Sequence, residues 1–157
     1  MKKTLTPIIV YLIFALFAIR GLLTTAGTVG HNWDWFVPSS LIHLQNFHQF
    51  LFSTWRGFSL GEPISLWLPS SPFFLFFTSF SFLGLGGDFI SKFLIILTIV
   101  LSGSGMFLFV KQITRDFFAS FLAGLFYAFS PFLFSEFIGG AATQFFAYSL
   151  VPWLFYF

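Results

Sequence analysis

The run Asp88-Phe89-Ile90-Ser91-Lys92-Phe93-Leu94-Ile95-Ile96-Leu97-Thr98-Ile99-Val100-Leu101-Ser102-Gly103-Ser104-Gly105-Met106-Phe107-Leu108-Phe109-Val110 holds no charge after Lys92 and closes on Lys111-Gln112-Ile113-Thr114-Arg115. Its length matches the ~20 residues that carry a helix across ~30 Å of hydrocarbon. The two cations at its end belong on the cytoplasmic side of a membrane. The rest of the chain agrees with this reading. Of 157 residues, 57% are hydrophobic, 24% aromatic and only 8% charged, and the mean hydropathy is +0.92. That leaves too little polar surface for a soluble fold of this size. The expected fold class is an all-α integral membrane protein, a polytopic transmembrane helix bundle. Seven Lys and Arg against five Asp and Glu are spread thinly, so no basic stripe exists for nucleic acid and none is expected as a partner. Cysteine is absent, which removes disulfide and thiolate chemistry. Most of the 29 Phe rings are expected to face lipid or neighbouring helices.

Spans are expected at about 7–29, 88–110, 117–139 and 144–157, with an external loop over 30–87, all in one transmembrane domain. Lys2 and Lys3 put the N-terminus in the cytoplasm and the 30–87 loop outside. A cleaved signal peptide competes for the first segment, but Thr24-Thr25-Ala26 is a poor cleavage site. From Pro38 to Trp55, Leu41, Leu44, Phe47, Leu51 and Trp55 recur at three- and four-residue steps. His43, Gln45, Asn46, Gln49 and Ser53 fall on another side, which predicts an amphipathic interfacial helix. Gly61-Glu62-Pro63, Pro69 and Ser71-Pro72 break regular structure over 57–72. The apolar segment 73–84 is short enough to be re-entrant or interfacial rather than spanning. Charge agrees: if 73–84 crossed, Lys111 and Arg115 would lie outside. Ser102-Gly103-Ser104-Gly105, together with Ala119, Ala123, Gly124 and Ala128, is a close-packing signature between membrane helices. The last residues lie inside a hydrophobic segment, as expected of the N-terminal part of something larger.

Chemistry is expected at Gly30-His31-Asn32-Trp33-Asp34-Trp35-Phe36-Val37-Pro38, just past the first span. A carboxylate at a membrane face is costly and tends to be kept where it pairs or reacts, which makes Asp34 the central candidate. Trp33 and Trp35 can stack on sugar rings or anchor the loop at the interface, where Trp is enriched. Arg20 interrupts the first span, either snorkelling outward or pairing with Asp34, Glu136 or a bound phosphate. Arg56 and Lys92 are candidate phosphate contacts, with interfacial anchoring the plainer role. His31 lies three residues from Asp34. Two potential ligands for a divalent cation do not make a site, so no metal site is assigned and no organic cofactor is expected. His43 and His48, five residues apart on a helix, point in different directions and are expected to face bulk water.

The lone acid in the first external loop, followed by an interfacial helix, resembles the GT-C superfamily of membrane glycosyltransferases. Further along, Gly124-Leu125-Phe126-Tyr127-Ala128-Phe129-Ser130-Pro131-Phe132, then Gly139-Gly140-Ala141 and Tyr148-Ser149-Leu150-Val151-Pro152, look like spans of the YfhO-like and arabinofuranosyltransferase-like branches. There a Tyr-Ala-x-Ser-Pro run precedes a Gly-containing loop and a Leu-x-Pro. The Gly61-Glu62-Pro63 turn and Ser71-Pro72 also fit. The resemblance covers nearly the whole chain but only the front of the family's fold. It implies transfer of a sugar from a polyprenyl-phosphate-linked donor to a glycan or lipid acceptor at the extracytoplasmic face of the plasma membrane. Asp34 matches the first-loop catalytic acid, and Glu136 sits where a second external loop often supplies another. A carboxylate in hydrogen-bond reach of an acceptor hydroxyl can take its proton as it attacks the anomeric carbon. Two other classes compete: a transporter or channel subunit with Arg20, Asp34 and Glu136 along a polar path, and a non-enzymatic membrane scaffold. No inverted repeat supports the first of these.

Overall fold

The computed structural model describes residues 2–29, 38–52, 55–56, 62–63 and 71–157. Its elements are α1 (Lys2–Ala18), α2 (Arg20–Leu23), α3 (Leu41–Phe50), α4 (Ser71–Ser79) with a 3-10 turn over Phe80–Leu83, α5 (Gly87–Thr114), α6 (Phe117–Ala128), α7 (Pro131–Gly139) and α8 (Ala142–Tyr156). A two-residue antiparallel ladder pairs Trp55 with Pro63 and Arg56 with Glu62. Among the described residues, two segments are long and apolar enough to cross a membrane: Gly87–Thr114 and Phe117–Gly139. The chain divides into two compact units. One holds the described residues of 2–25 and 93–157, the other those of 26–29 and 38–92.

In the first unit α5 is the central helix, with Leu94, Ile95, Ile99 and Phe107 buried around it. Its C-terminal turn is closed by polar groups. Arg115 adopts φ 57°, a left-handed conformation that ends the helix. Lys111 Nζ donates to the Arg115 carbonyl at 3.0 Å. Asp116 then caps α6, its carboxylate accepting from Ala119 N at 2.6 Å, as an N-cap acid should. The small residues of the sequence signature do the packing expected of them. Tyr11 is fully buried, stacks on Phe121 at 5.6 Å and donates its hydroxyl to the Phe121 carbonyl at 3.0 Å. Gly103 and Gly124 lie against it, so that a side chain at either would meet the tyrosine. Gly105 serves Trp153. Without a side chain at 105 the Leu101 carbonyl one turn earlier is open, and Trp153 Nε1 donates to it at 3.1 Å.

The run 117–139 is one apolar segment but not one helix. The residue before a proline is pushed out of the α region, and Ser130 is extended at φ −66°, ψ 148°. Its Oγ caps α7 by accepting from Leu133 N at 3.2 Å, with Pro131 at the first helical position. At 1.5 Å per residue α6 covers ~18 Å and α7 ~13 Å, so only the two in series match a ~30 Å bilayer. Gly140, at φ 76°, ends α7 in the left-handed conformation that glycine adopts most readily.

In the second unit α3 packs on α4 and its 3-10 turn. Leu44, Phe74 and Phe77 are buried, and Phe47 meets the Phe74 ring edge-on at 5.6 Å. The N-terminus of α5 closes this unit, Ser91 Oγ accepting from Val29 N at 3.1 Å and donating to the Asp88 carbonyl at 3.1 Å.

Two expectations change. The first helix begins at Lys2 rather than 7, breaks at Ile19 and ends at Leu23, not 29. Arg20 therefore follows a helix break instead of lying within a continuous span. The expected interfacial helix over 38–55 is helical only over Leu41–Phe50. Its polar residues do not all face away: Gln45 Nε2 donates to the Ser81 carbonyl at 3.4 Å, and His48 turns toward α4. The 73–84 segment agrees with its expectation: it is helical from Ser71 to Leu83 and capped at Gly84, short of the ~20 residues of a span.

Candidate functional site

The break between α6 and α7 is where the chain's polar and apolar features meet. An apolar cavity of about 240 Å³ opens there, with Ile19, Ile99, Phe129, Ser130, Phe137 and Phe145 among its lining. At ~30 Å³ per water-sized group, it holds roughly eight such groups. Apolar cavities do not retain water well and accept hydrocarbon. Its dimensions therefore suit a short stretch of a lipid chain.

Behind this cavity three side chains lock the break to α8. Pro152 lies inside α8, and a proline has no N–H for the carbonyl four residues earlier. That carbonyl belongs to Tyr148. Tyr127 Oη donates to it at 2.9 Å and so fills the gap from α6. The favour is returned at the side chain: Tyr148 Oη lies 3.0 Å from Ser130 Oγ. The two phenol rings stack at 4.3 Å, 5° from parallel. These bonds join α8 to both sides of the break, to Tyr127 of α6 and to Ser130 at the cap of α7.

This clamp makes a quantitative prediction. Tyr127→Phe keeps the ring stack but strands the Tyr148 carbonyl, at a cost of about 1–3 kcal/mol. In a Pro152→Ala background the new amide takes that carbonyl, and the same change should cost less than ~1 kcal/mol. Thermal midpoints of the four proteins in detergent measure the coupling. Equal costs in both backgrounds would show that the tyrosine does not serve the proline gap.

The other predicted residues fall in several places. His31, Trp33, Asp34 and Trp35 lie at 30–37, outside the described residues. Arg56 is held in the ladder by its backbone opposite Glu62. Arg20 is exposed, its guanidinium 4.2 Å above the Phe17 ring, a cation–π contact. Glu136 is half-buried on α7, and among the described residues no ion pair joins it to Arg20. Lys92 has a partner within its own helix. It is 9% exposed, and its Nζ pairs with Asp88 Oδ1 at 2.6 Å, one turn back on α5. His48 corrects the solvent-facing expectation. Thr78 commits its hydroxyl proton to the Phe74 carbonyl at 2.7 Å. The 2.8 Å contact of Thr78 Oγ1 with His48 Nδ1 therefore runs from an Nδ1–H donor, which leaves Nε2 uncommitted by that bond. Among the described residues no group of three or more His, Cys, Asp or Glu is placed to hold a metal.

In the sequence the clamp residues stand only as parts of short motifs. A signal for their pairing was present in the four-residue step from Tyr148 to Pro152. It marks a carbonyl that needs an outside donor, although not which donor. No family model, curated protein or solved structure matches the chain.

Proposed function

We propose that the chain is a polytopic protein of the plasma membrane and carries the front of a GT-C-type glycosyltransferase. It takes a sugar from a polyprenyl-phosphate-linked donor and passes it to a glycan or lipid acceptor on the extracytoplasmic side. The observation that carries this reading is the convergence at the α6–α7 break. Tyr127, Ser130, Tyr148 and Pro152 belong to the motifs that resemble the family, and they brace one another beside a cavity of hydrocarbon character. The membrane reading draws on exposed apolar faces. Phe118, Phe126, Phe134, Leu154 and Phe155 are all exposed, more apolar surface than a water-soluble domain tolerates. The cations Lys111 and Arg115 set the turn between α5 and α6 at the cytoplasmic side. The loop holding Asp34 is then outside.

In this reading Asp34 is the general base. It accepts the proton of the acceptor hydroxyl while the oxygen attacks the anomeric carbon, and the donor's phosphate leaves from the opposite face. Attack from one side and departure from the other invert the anomeric centre. Trp33 and Trp35 offer stacking faces for the sugar. Arg56 offers a guanidinium fork for the departing phosphate. The cavity takes the first carbons of the lipid tail.

Topology is tested directly, because the chain has no native cysteine and a single introduced one reports alone. With Asp34→Cys, a membrane-impermeant maleimide is expected to label intact cells. With Arg115→Cys, label is expected only after permeabilisation. Reversal of the two patterns would place the proposed base in the cytoplasm and end the proposal. The activity itself is read as labelled sugar leaving the organic-extractable polyprenyl phosphate pool in membranes that contain the chain. No gain in transfer over membranes lacking it would also count against the reading.

A further inference from the structure

The second unit gathers its own polar side chains where α3 faces α4. Gln45 and His48 stand three residues apart on α3, and Thr78 and Ser81 stand three apart on the opposing helix and its 3-10 turn. The pairs meet in reverse order, as antiparallel helices require: Gln45 Nε2 donates to the Ser81 carbonyl at 3.4 Å, and His48 Nδ1 donates to Thr78 Oγ1 at 2.8 Å. Thr78 is buried, and its own proton goes to the Phe74 carbonyl. The imidazole is therefore fixed in orientation and in tautomer, with a proton on Nδ1 and a lone pair on Nε2. His48 is half-buried. Among the described residues neither its Nε2 nor the Gln45 amide oxygen has a hydrogen-bond partner. Phe52 and Phe82, both exposed, stand across the imidazole with ring centroids 5.5 Å and 5.0 Å away.

We infer that His48, Gln45 and the two phenyl rings bind a sugar ring. Both open polar atoms are acceptors, so the ligand has to donate. A phosphate or carboxylate, which offers acceptors alone, cannot; hydroxyls can. Residues three apart on a helix are neighbours at ~5–6 Å, a separation that two hydroxyls of one sugar ring can span. The faces of the phenyl rings carry the negative side of the aromatic quadrupole and attract the C–H bonds on a sugar's flat side. A glycerol headgroup has hydroxyls but no such flat side. The inference rests on the glycosyl-transfer reading for the ligand's role, that of a glycan acceptor. The two fail separately, because binding is measured with no donor present and no transfer.

The test uses the full chain with nitrogen-labelled histidine in dodecyl polyoxyethylene ether micelles and mildly alkaline buffer, titrated with octyl β-D-glucoside or with monooctanoylglycerol. The glucoside is expected to move the His48 Nε2 resonance saturably toward that of a hydrogen-bonded nitrogen and to leave His43 in place. Near saturation it should also raise the thermal midpoint by roughly 3 °C more than the glycerol ester does. Asparagine reproduces the Nδ1 donor but not Nε2, whereas glutamine reaches as far as Nε2. His48→Asn should therefore keep the bond to Thr78 and lose most of the difference in midpoint, and His48→Gln should keep at least half of it. The readout compares two additives on one protein, so a lower starting midpoint in a variant does not mimic the effect. If His48→Asn does not accumulate, the resonance of the unaltered chain decides. An unmoved Nε2 resonance, equal rises with glucoside and glycerol ester, or an undiminished difference in His48→Asn would each overturn the inference. Binding of the glucoside without sugar transfer would uphold this site and count against the proposed reaction.

Discussion

Asp34→Asn is expected to lower sugar transfer by roughly 10²–10⁴-fold, the range that general-base catalysis contributes, while the protein still accumulates and folds. Asparagine keeps the size and hydrogen-bonding reach of the side chain but cannot accept a proton at neutral pH, so binding of acceptor and donor should persist while attack on the anomeric carbon slows. A fall in kcat with little change in KM is the signature of an interaction made mainly in the transition state. The same substitution separates the enzyme from the transport reading. A carboxylate lining an ion path would change flux when neutralised and leave glycan composition alone. Retention of most of the transfer rate in Asp34→Asn would exclude it as the base. Glu136→Gln serves as the companion variant. If Asp34 alone is the base, Glu136→Gln should change the rate by less than about tenfold.

How far the sequence could be read depends on whether a feature is local. The 88–110 segment was legible because its signal is summed hydropathy, and the helix there runs from Gly87 to Thr114. The end of that span at Lys111–Arg115 was written in charge, whereas the Asp116 cap that starts α6 is seen only in the structure. The break at Ser130-Pro131 was not read from the expected 117–139 span, and the structure shows α6 and α7 separated by an extended serine. The break at Ile19 was hidden, because Ile19 carries no turn chemistry and its neighbours are as apolar as a straight span requires. His48 departs from its expected place for a related reason. Polar residues on a helix are assigned to water by periodicity, but a threonine on a second helix offered His48 a better place. Lys92 likewise found its partner within α5, where an acid four residues back can neutralise it. For the site, the motif residues could be quoted from sequence, but their reciprocal bonding is a tertiary fact. Tyr127 and Tyr148 are 21 residues apart, and no periodicity links them.

The small residues make the strongest stability prediction, because at Gly124 opposing effects can be weighed. Alanine there gains about 1 kcal/mol of helix propensity over glycine. Against that, its methyl group would meet the Gly103 carbonyl oxygen at 2.5 Å and Tyr11 Cζ at 2.8 Å, and would press on the Tyr11 hydroxyl. Neither neighbour yields easily: one is backbone, and the other is a fully buried ring held by stacking and a hydrogen bond. Forcing them apart costs about 1–3 kcal/mol as overpacking, and losing the Tyr11 hydrogen bond costs about 1 kcal/mol more. The balance is unfavourable by about 2 kcal/mol, so Gly124→Ala should lower the thermal midpoint by roughly 5–8 °C. Gly139→Ala is the matched control, since a methyl there meets nothing within 4 Å; its midpoint should stay level or rise slightly with helix propensity. Tyr11→Phe removes one of the atoms in the way, so Gly124→Ala should cost at least about 0.5 kcal/mol less in that background. The carbonyl of Gly103 remains, and relief should be partial. If Gly124→Ala raised the midpoint as Gly139→Ala does, α1, α5 and α6 would not meet at these glycines, and the packing around Tyr11 would have to be abandoned.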